Sequence, residues 1–143
     1  MLKRLSSVLD AEMHRELSRL DLNLNQFAVL MTLLESEGMT QTEIGQKIGM
    51  PGYATTRSLD ALEEARLLER RPDERSRRSH RIHLTDVGRA MAPDLFAIVG
   101  HVNEQLLAPL AEDERLLFAT ILEKLLHAKL TRSLESATEN ALE

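Results

Sequence analysis

Arginine is concentrated in one short stretch of an otherwise acidic chain. Residues 66 to 81 include seven arginines against three acids, although the 143-residue protein carries a formal net charge of -5. A guanidinium group stays charged at any physiological pH, and its planar fork of donors fits phosphate oxygens and base edges. The cluster therefore predicts a site that recognises a polyanion. From the residues alone, a solvated charged surface is the alternative.

The other residue types offer little for catalysis. The chain has no cysteine, which excludes disulfides, thiolate metal ligands and a thiol nucleophile. Its histidines show no spacing typical of a hydrolytic metal site, such as H-E-x-x-H; they are His14, His80, His83, His101 and His127. We predict that the protein is not an enzyme and binds no cofactor. A metal-sensing site built from His14, His101 and a nearby carboxylate stays open as an alternative.

Length and composition are those of a globular protein of one domain, spanning residues 1–143. Hydrophobic residues make up 43% of the chain and charged residues 29%, which is ordinary for such a domain. No apolar run approaches the roughly 18 residues of a membrane span, and residues 1–20 lack the apolar core of a signal peptide. We therefore expect a cytoplasmic protein.

Most of the chain has the apolar periodicity of helices, and capping signals divide it. A stripe from Leu2 to Leu20 predicts a first helix. Asn25 is a candidate N-cap for a second helix that Gly38 would end. Further signals are the capping-box spacing of Thr40 and Glu43, the terminator Gly49, and Pro51 as the start of a fourth helix.

The periodicity changes after Leu68. The segments "LLERR" and "SHRIHLT" alternate as two strands would, and "PDERSR" between them predicts a hairpin with a charged tip. Thr85 is then expected to cap a long helix, with a kink at Pro93 and an end at Pro109. A last helix follows in "EDERLLFATILEKLLHAKL".

Three helices followed by a two-stranded hairpin predict a mainly α (α+β) winged helix-turn-helix, with "GMPG" as its tight turn. In the helix after Pro51, an inward Leu59 puts Thr55 and Leu62 on the buried side. Arg57 then lies on the outer face near the helix start, which suits contact with base edges in a major groove. The candidate contact residues are Tyr53, Ala54, Thr56 and Arg57. The alternative for Arg57 is an exposed ion pair with Asp60.

Four segments resemble, in order and spacing, the MarR family of bacterial transcriptional regulators. They are "LNLNQFAVLMTLL", "TQTEIGQKIGM", "TTRSLDALEEARLLERR" and "DERSRRSHRIHLTDVGRAM". The most specific parts are "R-x-L-D-x-L-E" from Arg57 to Glu63 and "L-T-x-x-G" from Leu84 to Gly88. The resemblance covers nearly the whole chain.

The resemblance implies a sequence-specific regulator of transcription, and it favours a repressor. A homodimer would bind a palindromic site in double-stranded DNA, with residues 24–105 as the winged helix-turn-helix and the start of a long helix. Residues 1–22 and 107–132 would form the dimerisation helices. The helix from Gly52 would enter the major groove and the hairpin tip the minor groove.

Arg78 best matches the wing-tip arginine of the family. Ser76 stands where the family often has an acid, so Arg75 and Arg77 remain alternatives for that position.

The family resemblance also implies release from DNA by a small lipophilic or phenolic ligand. The residues expected to line its site are Met13, His14, Leu17, Met31, Met91 and Leu95. An apolar, methionine-rich stripe is also what plain core looks like. A winged helix that binds a protein instead of DNA is a further alternative, although it leaves the arginine cluster without a purpose.

Overall fold

A computed structural model describes the backbone of residues 1–140 and their side chains, apart from those of Arg77 and residues 129–140. The chain divides into two compact units, Met1–Asn103 and Glu104–Glu143. The elements, in chain order, are α1 (Leu2–Ser18), α2 (Leu24–Glu35), β1 (Met39–Thr40), α3 (Gln41–Ile48), α4 (Gly52–Glu64), β2 (Leu68–Asp73), β3 (Ser76–Leu84), α5 (Asp86–Ala90), α6 (Ala92–Leu107) and α7 (Glu112–Asn140).

The first unit packs its helices around an aliphatic core beside a small antiparallel sheet. The sheet has the strand order β1-β3-β2. The completely buried side chains at the centre of the core come from α1, α2, α3, α4 and the strands; they include Leu17, Leu30, Leu33, Ile44, Leu59, Leu68, Ile82 and Leu84. Because this core has few aromatic residues, its shape depends on close packing of branched side chains.

The sequence signals around α3 are confirmed. Thr40 and Glu43 form a capping box, in which the Thr40 side chain accepts the Glu43 N–H and the Glu43 carboxylate accepts the Thr40 N–H. Gly49 ends the helix in the left-handed conformation, with φ of 66°, which glycine adopts at little steric cost. α4 begins three residues later, so α3 and α4 form the predicted helix-turn-helix.

Two predicted features of α2 are wrong. Its N-cap is Asn23, whose side chain accepts the Gln26 N–H while the Gln26 side chain accepts the Asn23 N–H. This reciprocal box satisfies two backbone donors, and Asn25 lies inside the first turn instead. The helix ends at Glu35 and not at Gly38. Gly38 donates its N–H to the carbonyl of Ile82 and so continues the ladder between β1 and β3.

The hairpin of β2 and β3, residues 68–84, is called the wing below. Its strands extend further than the sequence pattern indicated, so the predicted loop "PDERSR" shrinks to a turn at Glu74 and Arg75. The register runs from Leu68 opposite Leu84 to Pro72 opposite His80, and it then shifts at Asp73. Pro72 fits because proline is tolerated beside such an irregularity at a strand edge.

The long helix predicted after Thr85 is interrupted. Thr85 is its N-cap, as predicted, and its hydroxyl accepts the Gly88 N–H. α5 ends at Ala90 and α6 begins at Ala92, so the helix is interrupted at Met91, two residues before the kink expected at Pro93. Pro93 then lies in the first turn of α6, where its missing N–H removes no hydrogen bond.

The second unit contains the end of α6 and α7. Many apolar side chains of α7 are exposed; they are Leu116, Leu117, Ile121, Leu122, Leu125 and Leu126. Arg115 donates to the Glu104 carboxylate and to the Leu110 carbonyl, which ties the start of α7 to the preceding turn. Within residues 1–140, no helix is both long and apolar enough to cross a membrane.

Candidate nucleic-acid interface

The two faces of α4 differ in the way the sequence predicts. Thr55, Leu59 and Leu62 are buried in the core. Tyr53 is 73% exposed, and Arg57 one turn later is also exposed. α4 therefore presents an aromatic ring and a guanidinium to solvent along its first two turns.

Arg57 makes no hydrogen bond or ion pair with any described side chain. The predicted alternative, a pair with Asp60, is not formed, because Asp60 Oδ1 lies 2.6 Å from Nη2 of Arg70 on β2. Arg70 also donates to the Glu63 carboxylate. Glu63, the second acid that α4 places near β2, therefore also binds Arg70. Arg57 stays available to a ligand.

Thr56 and Ala54, two of the predicted contact residues, are half-buried. The Thr56 hydroxyl donates to the Gly52 carbonyl at 2.9 Å and accepts a hydrogen bond from the Gln41 side chain at the start of α3. Thr56 therefore ties α4 to α3. Its role as a contact residue stays a prediction.

A polar groove of about 360 Å³ lies between the start of α2 and the outer face of α4. Amide side chains from α2 form one wall, and Tyr53, Ala54 and Arg57 form the other; the amides are Asn23, Asn25 and Gln26. Amide and guanidinium groups together can donate to phosphate oxygens or base edges. The sequence reasoning did not identify these amides as part of a site, although their clustering at the first turn of α2 is a visible signal.

The wing separates its arginines into paired and unpaired groups. Arg71 pairs with Glu69, and Arg70 and Arg81 bind carboxylates as well. The side chains of Arg75 and Arg78 are exposed and make no hydrogen bond or ion pair with a described residue. The Arg77 side chain lies outside the described residues. Two of the three predicted wing residues therefore have guanidinium groups open to an anion.

Asp73 organises the base of the wing tip. Its Oδ1 accepts the backbone N–H of Arg75 at 3.0 Å, and its Oδ2 accepts Nε of Arg81 at 3.0 Å. These contacts hold the pKa of Asp73 below its ordinary value, because they stabilise the ionised carboxylate. The hydrogen bond from the Arg75 N–H has the largest effect. Asp73 stays charged and keeps the turn closed.

Sequence and structure comparisons place these features in a known family. A profile of the MarR family matches residues 20–79. The HTH-type transcriptional repressor Rv2887 of Mycobacterium tuberculosis (strain H37Rv) is 33% identical over 125 residues, which cover 87% of this chain and 90% of the relative. The chain belongs to the MarR family. The transcriptional regulator PecS of Dickeya dadantii is 30% identical and covers 80% of this chain and 70% of its own length.

Solved structures of MarR-family proteins share the fold. The crystal structure of Rv2887 in complex with DNA has a TM-score of 0.77 and 31% identity, covering 87% of this chain and 93% of that one. A cysteine-to-serine mutant of MarR from E. coli, complexed with operator DNA, has a TM-score of 0.76 and 27% identity, covering 87% and 90%. The predicted fold class, a mainly helical winged helix-turn-helix, is confirmed.

The six residues expected to line an effector site do not share one environment. Leu17 and Leu95 are completely buried in the core, and Met13, Met31 and Met91 pack against it. His14 is exposed on α1. Five of the six therefore belong to the packed interior of the MarR fold, and their role in binding an effector stays a prediction.

The histidines of the wing differ in their surroundings. His80 is exposed, whereas Nδ1 of His83 lies 3.9 Å from the Glu37 carboxylate. Among the residues that the structure describes, no three His, Asp or Glu side chains come together as metal ligands would. The proposed pairing of His14 with His101 has no supporting contact.

Proposed function

We propose that the protein is a transcriptional repressor that binds an operator in double-stranded DNA as a homodimer. It acts by occupying the DNA and performs no catalytic step. Membership of the MarR family supports this proposal, as do the two relatives that were crystallised with DNA.

Arginine guanidinium groups without an acidic partner carry the proposal. Acids neutralise Arg70, Arg71 and Arg81. The guanidinium groups of Arg57 on α4 and of Arg75 and Arg78 on the wing form no hydrogen bond or ion pair with a described residue. An exposed arginine without a partner is free to displace counterions from DNA phosphates. These three arginines lie on the two elements with which a winged helix contacts a duplex.

The two elements have different tasks in this proposal. Arg57 reads a base edge in the major groove, with Tyr53 and the groove amides beside it. Arg75 and Arg78 reach the minor groove and the neighbouring phosphates, where a narrow A·T-rich groove concentrates negative potential. The acidic remainder of the chain disfavours binding to DNA through other surfaces.

We further propose that the exposed apolar face of α7 is covered in a dimer. Leu117, Ile121 and Leu125 recur at intervals of four, and each is about half exposed or more. A contiguous apolar surface of this kind is typical of an interface. A twofold dimer would present two winged helices to a palindromic site.

Selection of bound sequences from random duplexes, followed by titration of the selected duplex at several salt concentrations, tests the proposal. We expect a palindromic consensus, and an affinity that falls linearly with salt on a log-log plot. Recovery of no enriched sequence, with equal weak binding to all duplexes, would favour a winged helix that recognises a protein instead.

A further inference from the structure

We propose that Asp73 and Arg81 are positioning residues, which hold the wing at a fixed angle to the helix-turn-helix so that α4 and the wing tip engage one DNA site together. The inference rests on the proposed function. It adds a role for two residues that are not expected to touch DNA themselves.

Asp73 connects the two strands of the wing at the point where their register breaks. The ladder shifts between Pro72 and Asp73, and a single pair, Asp73 opposite Ser76, follows the shift. The Asp73 carboxylate adds two further hydrogen bonds there, one from the N–H of Arg75 in the turn and one from Arg81 on the opposite strand. The Asp73 side chain is only 9% exposed, so the carboxylate end of this link is largely shielded from solvent.

Arg81 extends the link from the wing to the helix-turn-helix. Its Nη1 donates to the Gly38 carbonyl at 2.9 Å and lies 3.7 Å from Oε2 of Glu43. Gly38 immediately precedes β1, and Glu43 is the capping-box residue of α3. One guanidinium therefore joins the wing tip, the β1 connection and the start of α3.

A fixed wing raises affinity because it lowers the entropy lost on binding. A hairpin tip whose angle varies must be ordered when its arginines enter a groove, and that ordering reduces the net binding free energy. The link between Asp73 and Arg81 fixes the orientation of Arg75 and Arg78 already in the free protein. The strength of α4 contacts alone does not depend on this link.

The charge of Asp73 makes the inference sharply testable. Removing an acid next to a DNA-binding surface strengthens binding if only long-range electrostatics matters, since repulsion of phosphates is lost. Glu74, the next residue, has the same charge and is exposed, and its side chain makes no hydrogen bond or ion pair with a described residue. Asp73→Ala and Glu74→Ala therefore form a pair with equal charge change and different structural effect.

The experiment measures affinity of the full-length protein for the selected duplex, with thermal midpoints recorded for every variant. We expect Glu74→Ala to bind as tightly as the original or tighter, and Asp73→Ala to bind about tenfold more weakly at an unchanged consensus. Equal affinity of both variants would overturn the inference. If Asp73→Ala lowers the thermal midpoint, measurement at a temperature where both variants are folded keeps the comparison valid.

Two further variants separate positioning from a direct contact. Arg81→Lys keeps the positive charge but cannot bridge Asp73 and Gly38 at once. We expect it to weaken binding as much as Arg81→Ala does, whereas a residue that simply neutralises a phosphate would tolerate lysine. Retention of full affinity by Arg81→Lys would contradict the positioning role.

A double-mutant cycle tests whether Asp73 acts through the wing arginines. In a protein that already carries Arg75→Ala and Arg78→Ala, Asp73→Ala should have no further effect on affinity, because the groups it positions are gone. Additive losses would overturn the inference. Should the original protein bind no duplex at all, the proposed function fails; amide exchange at the Arg75 N–H, faster in Asp73→Ala, still tests the link.

Discussion

The carboxylate of Asp60 on α4 binds the guanidinium of Arg70 on β2, with Oδ1 and Nη2 2.6 Å apart. Arg57 lies one turn before Asp60 on the same helix, at a spacing that favours an ion pair. Because Arg70 occupies Asp60, Arg57 is left free on the outer face. A structural ion pair between a helix and the wing thus leaves the Arg57 guanidinium available to a ligand.

Arg70→Ala should weaken DNA binding although the proposed contacts do not include Arg70. Asp60 would lose its partner and become available to Arg57, which would then have to be released on binding. We expect a several-fold loss of affinity, and recovery of most of it in the double variant Arg70→Ala/Asp60→Ala. The same affinity in the single and double variants would show that Asp60 does not capture Arg57. Unfolding free energy should fall by about 1 kcal/mol, since the pair is only partly buried.

Gly88 should tolerate no side chain. A Cβ built on it would lie 1.9 Å from the backbone oxygen of Leu67, which is far inside van der Waals contact. We expect Gly88→Ala to lower the free energy of unfolding by about 3 kcal/mol, measured by urea denaturation. Gly100→Ala is the control, because its Cβ would meet nothing within 4 Å, and it should raise helix stability by up to about 1 kcal/mol. Similar stabilities for the two variants would contradict the close approach.

The requirement at Gly88 explains why the sequence signal "L-T-x-x-G" is specific. Thr85 starts α5 as its N-cap, and its N–H donates to the Leu67 carbonyl. The same oxygen then faces Gly88 one turn later. Such local signals, like the capping box of Thr40 and Glu43, depend on neighbours in sequence and could be predicted from it.

Contacts between distant residues could not be predicted in the same way. β1 has only two residues and no periodicity of its own, so its pairing with β3 depends on the tertiary fold. Sequence spacing offered Asp60 to Arg57 at three residues, whereas its actual partner Arg70 is ten residues away. The link from Arg81 to Gly38 spans 43 residues. The sequence also predicts Asn25 as the N-cap of α2, whereas the reciprocal box with Gln26 forms at Asn23.

Acid should loosen the wing and the start of α3 together. The backbone N–H and hydroxyl of Thr40 lower the pKa of Glu43 below 4.5, and the N–H of Arg75 lowers the pKa of Asp73 below 3.8. Depressed folded-state pKa values mean that the stabilisation is present above these ordinary values and is lost as the pH falls through the lower folded values.

Urea unfolding at a series of pH values checks this expectation. The original protein should lose more stability below about pH 4.5 than the variant Glu43→Gln/Asp73→Asn, whose side chains at these positions do not titrate. At neutral pH, where both carboxylates are ionised, the original protein should have the larger free energy of unfolding. Parallel stability curves over the whole range would contradict the pKa directions.

The apolar face of α7 should determine assembly. Leu117→Glu/Ile121→Glu places two charges in the surface that the proposed dimer buries, and we expect a monomer by light scattering at micromolar concentration. Leu117→Met/Ile121→Met keeps the surface apolar and should leave the dimer intact. A dimer that survives the glutamate substitutions would show that α7 does not carry the interface.

In the proposed function, Arg57 reads a base while the wing arginines read shape and phosphate. The most direct measurement is the affinity of Arg57→Ala, Arg57→Lys and the original protein for the selected duplex and for duplexes altered at each position. We predict that Arg57→Ala loses about 1–3 kcal/mol on the selected duplex and loses its preference at one position in each half-site. Arg57→Lys should recover phosphate attraction but not the full preference. An unchanged preference at every position in Arg57→Ala would contradict the account.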